Sequence, residues 1–158
     1  MGGQPESGGG GSGPPAEGAG AEGCRAFDHT GDLGLEIWAE TPRRLFALAA
    51  EAVSAQAAEA HPGPAEVRRA LSLEGDDPED LLVHWLNTTL LESALREVVW
   101  TRVRVTTLTP RTLDAVLEGQ RLDRARQTFL REIKAVSHHH LELDLTGSPC
   151  RCRLVLDL

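Results

Sequence analysis

No run of apolar residues in this chain approaches the ~18–20 that a membrane-spanning helix needs. The phosphate-cradling pattern G-x-x-x-x-G-K-S/T, the nucleophile turn G-x-S-x-G and the zinc pair H-E-x-x-H are also missing. The first 23 residues lack Leu, Ile, Val and every aromatic side chain, yet hold ten of the sixteen glycines and three of the nine prolines. A segment of that composition cannot bury enough apolar surface to offset its chain entropy. Residues 1–24 are therefore expected to form a disordered Gly-rich tail and residues 25–158 a single domain, long enough for a sizeable core. With neither an apolar stretch nor a basic residue, the tail reads as neither a secretory signal nor a transit peptide. A soluble, cytoplasmic protein without membrane association is the expectation.

Positive charge is also in short supply. The chain carries a net charge of −8, of which the tail contributes three acids (Glu6, Glu17, Glu22) and no base, leaving −5 for the domain. Non-specific grip on nucleic acid rests on a basic surface that displaces counterions. An acidic domain is poorly suited to hold RNA alone, so contact with RNA is expected only through a partner. The three cysteines form no zinc pair and no C-x-x-C. Cys150 and Cys152 fall on one face of a strand as small apolar residues, and Cys24 reads as a free thiol of a reducing compartment.

Alternation over 33–39 predicts a half-buried strand, with Leu33, Leu35, Ile37 and Ala39 on one face. Thr41-Pro42 is a cap followed by proline at the first helical position, and it opens a helix over about 42–60. A strand over 66–74 follows, then Asp77-Pro78 opens a second helix to about 97, with Glu79 and Asp80 at the positive end of its dipole. Four late strands are predicted over 99–108, 111–118, 131–145 and 150–157, and residues 119–130 read as an exposed loop. The class is α+β: a two-layer sandwich, mostly antiparallel β-sheet of about six strands covered by two helices.

Chemistry-bearing residues gather in three clusters. The first is Asp28-His29-Thr30-Gly31-Asp32, the second runs from Glu132 through Lys134 to His138-His139-His140, and the third is Asp157-Leu158. On a continuous strand, neighbouring histidines point to opposite faces, so at most His138 and His140 share one and His139 faces away. That pattern argues against a zinc site. Asp157 sits in the apolar run Leu154-Val155-Leu156-Asp157-Leu158, where an unpaired carboxylate is costly. If the loop holding Asp32 abuts that end, Asp32, Asp157 and the terminal carboxylate of Leu158 converge. Oxygen donors favour a hard ion, Ca²⁺, Mg²⁺ or Mn²⁺. A solvated turn Asp and an exposed chain end account for the same residue types.

Taken with their neighbours, these clusters carry a resemblance. Asp28-His29-Thr30-Gly31-Asp32-Leu33-Gly34, Glu132-Ile133-Lys134-Ala135-Val136-Ser137 and Val155-Leu156-Asp157-Leu158 resemble the signatures of the archease family. Trp38-Ala39-Glu40-Thr41, Gly75-Asp76-Asp77, Gly119 and Leu122-Asp123 match in register between them, so the likeness spans about residues 25–158. It implies an accessory protein, not an enzyme. Its partner would be the tRNA-splicing RNA ligase, which joins an RNA 3′-phosphate or cyclic phosphate to a 5′-hydroxyl using GTP and Mn²⁺ through a guanylylated histidine. The resemblance further implies a divalent metal at Asp32, Asp157 and the terminal Leu158, with Lys134, His139 and His29 as contacts to the partner or to phosphate. Gly31 stands where the family has Ala, His138 where it often has Tyr, and Gln127 where it has His. The rival readings are a small metal-dependent phosphoester hydrolase using Asp32 and Asp157 to activate water, and a generic chaperone-like adaptor.

Overall fold

The computed structural model describes residues 22–158. The expected disorder of the tail therefore falls, for residues 1–21, outside the described residues.

Both helices begin as their sequences dictate. The Thr41 hydroxyl accepts the Arg44 N–H at 3.1 Å and starts α1, Pro42–Ala57. Asp77 accepts the Asp80 N–H at 2.8 Å and starts α2, Pro78–Arg96. Helix α2 ends at Glu97, in the left-handed conformation. Helix α1 is buried along Leu45, Phe46, Ala49, Ala50 and Val53, each large side chain contributing about 1.5–3 kcal/mol on burial. Trp85 of α2 donates its indole N–H to the Phe46 carbonyl at 2.8 Å, which locks the two helices together.

Among the described residues, eight strands, all paired antiparallel, form two sheets packed with these helices. The first sheet orders β1 (Gly23–His29), β2 (Asp32–Ala39), β8 (Cys150–Asp157) and β6 (Ala135–Val136), with β7 (Glu142–Asp144) also on β8. The second orders β3 (Val67–Glu74), β5 (Thr112–Arg121) and β4 (Val98–Leu108). The α+β class, the two covering helices and the antiparallel pairing agree with the sequence reading. The strand count and the division into two sheets go beyond it. Leu35 and Ile37 of β2 and Cys152, Leu154 and Leu156 of β8 face the common core. Burial pushes the Cys152 thiol up to about 12, with Cys24 adding to the effect, so it packs as a small apolar group. All three cysteines are free.

Three expectations are corrected. Gly23 and Cys24 belong to β1 rather than to a tail, because β1 pairs along its length with β2 from Gly23 opposite Trp38 to His29 opposite Asp32. The single strand over 131–145 is broken into β6 and β7 by a turn at 137–141. There His140 takes φ 64°, and the Leu141 N–H bonds the His138 carbonyl at 3.1 Å. The loop after β5 is not simply exposed. Gln127 is buried, accepting from Asp123 N at 2.7 Å and donating to Arg121 O at 3.2 Å.

Candidate functional site

The site stands at one end of the first sheet, where four strands bring four residues level. His29 and Asp32 close the β1–β2 hairpin around Thr30-Gly31, and Gly31 adopts φ +75°, a conformation glycine takes without cost. Strand β2 pairs with β8 from Ala39 opposite Cys150 to Leu33 opposite Leu156, so the next step of the register sets Asp32 opposite Asp157. Ala135 of β6 is in turn opposite Asp157. The row across the sheet is therefore His29, Asp32, Asp157, Ala135. Directly opposed residues share a face, with Cβ atoms about 4.5–5.5 Å apart. Because Leu33, Leu35, Leu154 and Leu156 point inward, this row lies on the face turned from the core. Two aspartates 125 positions apart in the sequence are thus placed at neighbouring positions on one face of the sheet.

Lys134 is set beside them by its backbone. Its N–H donates to the Asp157 carbonyl at 2.8 Å, while the residue itself is exposed. Asn87 of α2 fixes the strand that follows: its side chain donates to the Val136 carbonyl and accepts the Val136 N–H, both at 2.8 Å. The sequence offered one signal for it, an amide within the apolar stripe Leu82, Trp85, Leu86, Leu90.

The histidines arrange differently from a strand's alternation. The turn folds the His140 ring against His29, with centroids 4.8 Å apart, and the His139 ring packs against His140 at 3.8 Å, tilted by 57°. His138 leaves the cluster and reaches Asp80 at 3.2 Å. His140 is held below its ordinary value by loss of hydration first, then by repulsion from His139, His29 and Arg153. His29 Nδ1 lies 4.0 Å from Asp32 Oδ2, beyond hydrogen-bond reach, and is buried without a hydrogen-bond partner among the described residues. Asp32, Asp157, His29 and Lys134 are thus brought to one end of the sheet, and His139 joins them through His140. Leu158 follows Asp157 directly and is exposed.

The donors at this end are of the type a hard cation takes, and the unpaired His29 nitrogen facing Asp32 leaves polar capacity unspent there. The side chains do not close around an ion by themselves. Among the described residues, no three His, Cys, Asp or Glu groups stand in a metal-holding arrangement.

The family described as "Archease protein family (MTH1598/TM1083)" matches residues 25–158. "Protein archease" of Methanosarcina barkeri is 27% identical over 136 residues, covering 84% of this chain and 93% of that protein. "Protein archease" of Methanopyrus kandleri is 25% identical over 135 residues, covering 84% and 96%. In fold, the solution structure of Methanobacterium thermoautotrophicum protein 1598 superposes with a TM-score of 0.74 at 22% identity, covering 86% of this chain and 99% of that one. The family match spans most of the chain and takes in each residue of the row described above, so this chain belongs to the archease family.

Proposed function

We propose that the acidic end of the first sheet holds one divalent ion, Ca²⁺, Mn²⁺ or Mg²⁺, and that the protein uses this end to activate a tRNA-splicing RNA ligase. The observation that carries the reading is the β2–β8 register, in which Leu33 lies opposite Leu156, so that Asp32 and Asp157 are the next residues of the two neighbouring strands. Two carboxylates from neighbouring strands offer a hard cation oxygen donors from two sides. Asp32 and Asp157 would hold the ion, with the terminal carboxylate of Leu158 as a third oxygen donor. Hard cations take six or more oxygens, so the remaining positions fall to water or to the partner's groups. Bound there, the ion would supply positive charge to a phosphate group at the ligase's guanylylation centre.

The chain's own residues do the rest. Lys134, anchored at Asp157, presents a compact positive charge to a phosphate or an acidic side chain of the partner. His29 and His139 flank the same end and supply ring nitrogens for hydrogen bonds. In this reading the protein is an accessory to catalysis, promotes guanylylation and repeated turnover, meets RNA through the ligase alone, and works in the cytoplasm. No helix among the described residues is long and apolar enough to cross a membrane.

A single-turnover guanylylation assay tests the proposal. Purified cognate ligase with GTP and Mn²⁺ should form its covalent guanylate faster with this protein present. Asp32→Ala and Asp157→Ala should each remove that acceleration. Hydrolysis of phosphoesters by the protein alone with Mn²⁺, without any effect on the ligase, would favour the hydrolase reading instead.

A further inference from the structure

We infer that the cavity bounded by the end of α1, the C-terminal half of α2, the start of β4 and the loop 122–133 binds a small amphipathic anion. Its apolar body would fill the cavity and its one anionic head would meet Arg124 and Arg131. This site is separate from the acidic sheet end and does not depend on the ligase. The cavity holds about 530 Å³, within the roughly 300–1,000 Å³ of small-ligand pockets. Leu90, Val99, Trp100, Phe129, Leu130 and Ile133 supply much of its apolar wall. Phe129 and Leu130 are 39% and 41% exposed despite their size, so a ligand that covers them removes apolar surface from water.

The cavity is held open by the chain's own hydrogen bonds. Glu59 N–H bonds Thr128 O and Leu130 N–H bonds Ala57 O, both at 2.9 Å, which ties the loop to the end of α1. Leu122 N–H bonds Glu97 O at 2.8 Å, which sets the start of the loop beside the end of α2. Within the loop, buried Gln127 bonds Asp123 N and Arg121 O. A wall fixed in this way needs little ordering when a ligand enters. The backbone groups so used are closed to an added peptide strand.

The polar atoms of the helix and strand walls are engaged too. Ser54 Oγ accepts the Trp100 N–H at 2.8 Å, Thr89 Oγ1 donates to Leu86 O at 2.8 Å, and Ser93 Oγ donates to Val98 O. The Trp100 indole N–H donates to Thr89 O at 3.2 Å. These walls therefore offer a ligand apolar contact.

Unspent donors belong to the two arginines of the lining. The Arg124 guanidinium lies over the Phe129 ring at 4.6 Å, with no carboxylate paired to it among the described residues. Arg131 donates one nitrogen to Gln56, at 2.7 and 3.0 Å, and keeps its other donors. One acid, Glu132, shares the lining with them, so the cavity is locally positive in a chain of net charge −8. A guanidinium takes carboxylate or phosphate oxygens through paired N–H groups. An anionic head thus gains what a neutral head lacks, and a cationic head meets two like charges.

The test titrates the full chain with octanoate, octanol and octylamine by calorimetry, while NMR follows the Trp100 indole N–H. Octanoate should bind saturably with Kd below about 1 mM, at least about fivefold more tightly than the other two, and should move the Trp100 signal. Ala94 is exposed on α2 and lines the cavity, so Ala94→Phe fills it from the rim. That variant should melt near the unmutated protein and bind octanoate at least about tenfold more weakly. Arg124→Gln/Arg131→Gln, at two exposed positions, should lower octanoate affinity to that of octanol and leave octanol unchanged. Equal affinities for the three probes, or undiminished octanoate affinity in the arginine pair, would overturn the anionic head. Undiminished affinity in Ala94→Phe, a Trp100 signal that stays in place, or no saturable octanoate binding would overturn the site.

Discussion

At the scale of single residues, the two carboxylates at the sheet end should separate stability from binding. Asp32 and Asp157 are only partly buried, so Asp32→Ala or Asp157→Ala should leave the melting temperature of the ion-free protein nearly unchanged while Mn²⁺ affinity falls beyond detection by calorimetry. Undiminished ion binding in both variants would remove the site. Residues appended after Leu158 would convert its carboxylate to an amide and displace the charge by up to about 3.3–3.6 Å per residue. Ion affinity should then drop with a C-terminal tag and stay normal with an N-terminal one; equal affinities would exclude Leu158 as a donor. Glu92 offers a pH test remote from the site. The Arg69 and Arg96 guanidinium groups, at 2.8 and 2.7 Å, hold its carboxyl below the ordinary 4.5. A lowered folded value contributes stability that is present at neutral pH and lost as pH falls below 4.5. Glu92→Gln should cost about 1.5–3 kcal/mol at pH 7, and the gap should close in acid; a gap constant down to pH 3 would contradict this.

The double hydrogen bond from Asn87 ties β6 to α2, adding to its pairing with β8 that sets Lys134 beside Asp157. Asn87→Leu leaves the Val136 N–H and carbonyl unmatched and should cost about 1–3 kcal/mol. Hydrogen exchange at Val136 and Lys134 should quicken while α2 stays protected; unchanged exchange there would show that β6 is held by other contacts. How much was legible in the sequence divides along the same lines. Helices α1 and α2, their caps Thr41 and Asp77, and strand β2 were readable because cap chemistry and apolar periodicity are local signals. Strand β1 was not, because it is a largely exposed edge strand whose apolar residues do not alternate. The break between β6 and β7 was hidden because nothing in three successive histidines announces the left-handed turn at His140. That turn is what brings His139 and His140 together toward His29. The pairing of Asp32 with Asp157 is a long-range register, set by the hydrophobic alternation of β2 and β8 and unavailable to any local window.

For the whole molecule, a fold of the archease family sets Asp32 and Asp157 at one end of the first sheet, with Lys134 bonded through its backbone to Asp157; under the proposed function this end faces a ligase. The first 21 residues have nothing apolar enough to pack, so their removal should leave melting temperature and activation nearly unchanged. A fall of more than a few degrees would give that segment a structural part. The most direct measurement of the central claim is multiple-turnover ligation by the purified cognate ligase, limiting in amount, with an RNA bearing a 3′-phosphate and one bearing a 5′-hydroxyl. With this protein present the ligase should join many RNA pairs per enzyme; without it, or with Asp157→Ala in its place, joining should stall near one. Equal product yields with and without the protein, across Mn²⁺ and Ca²⁺ concentrations, would contradict the account.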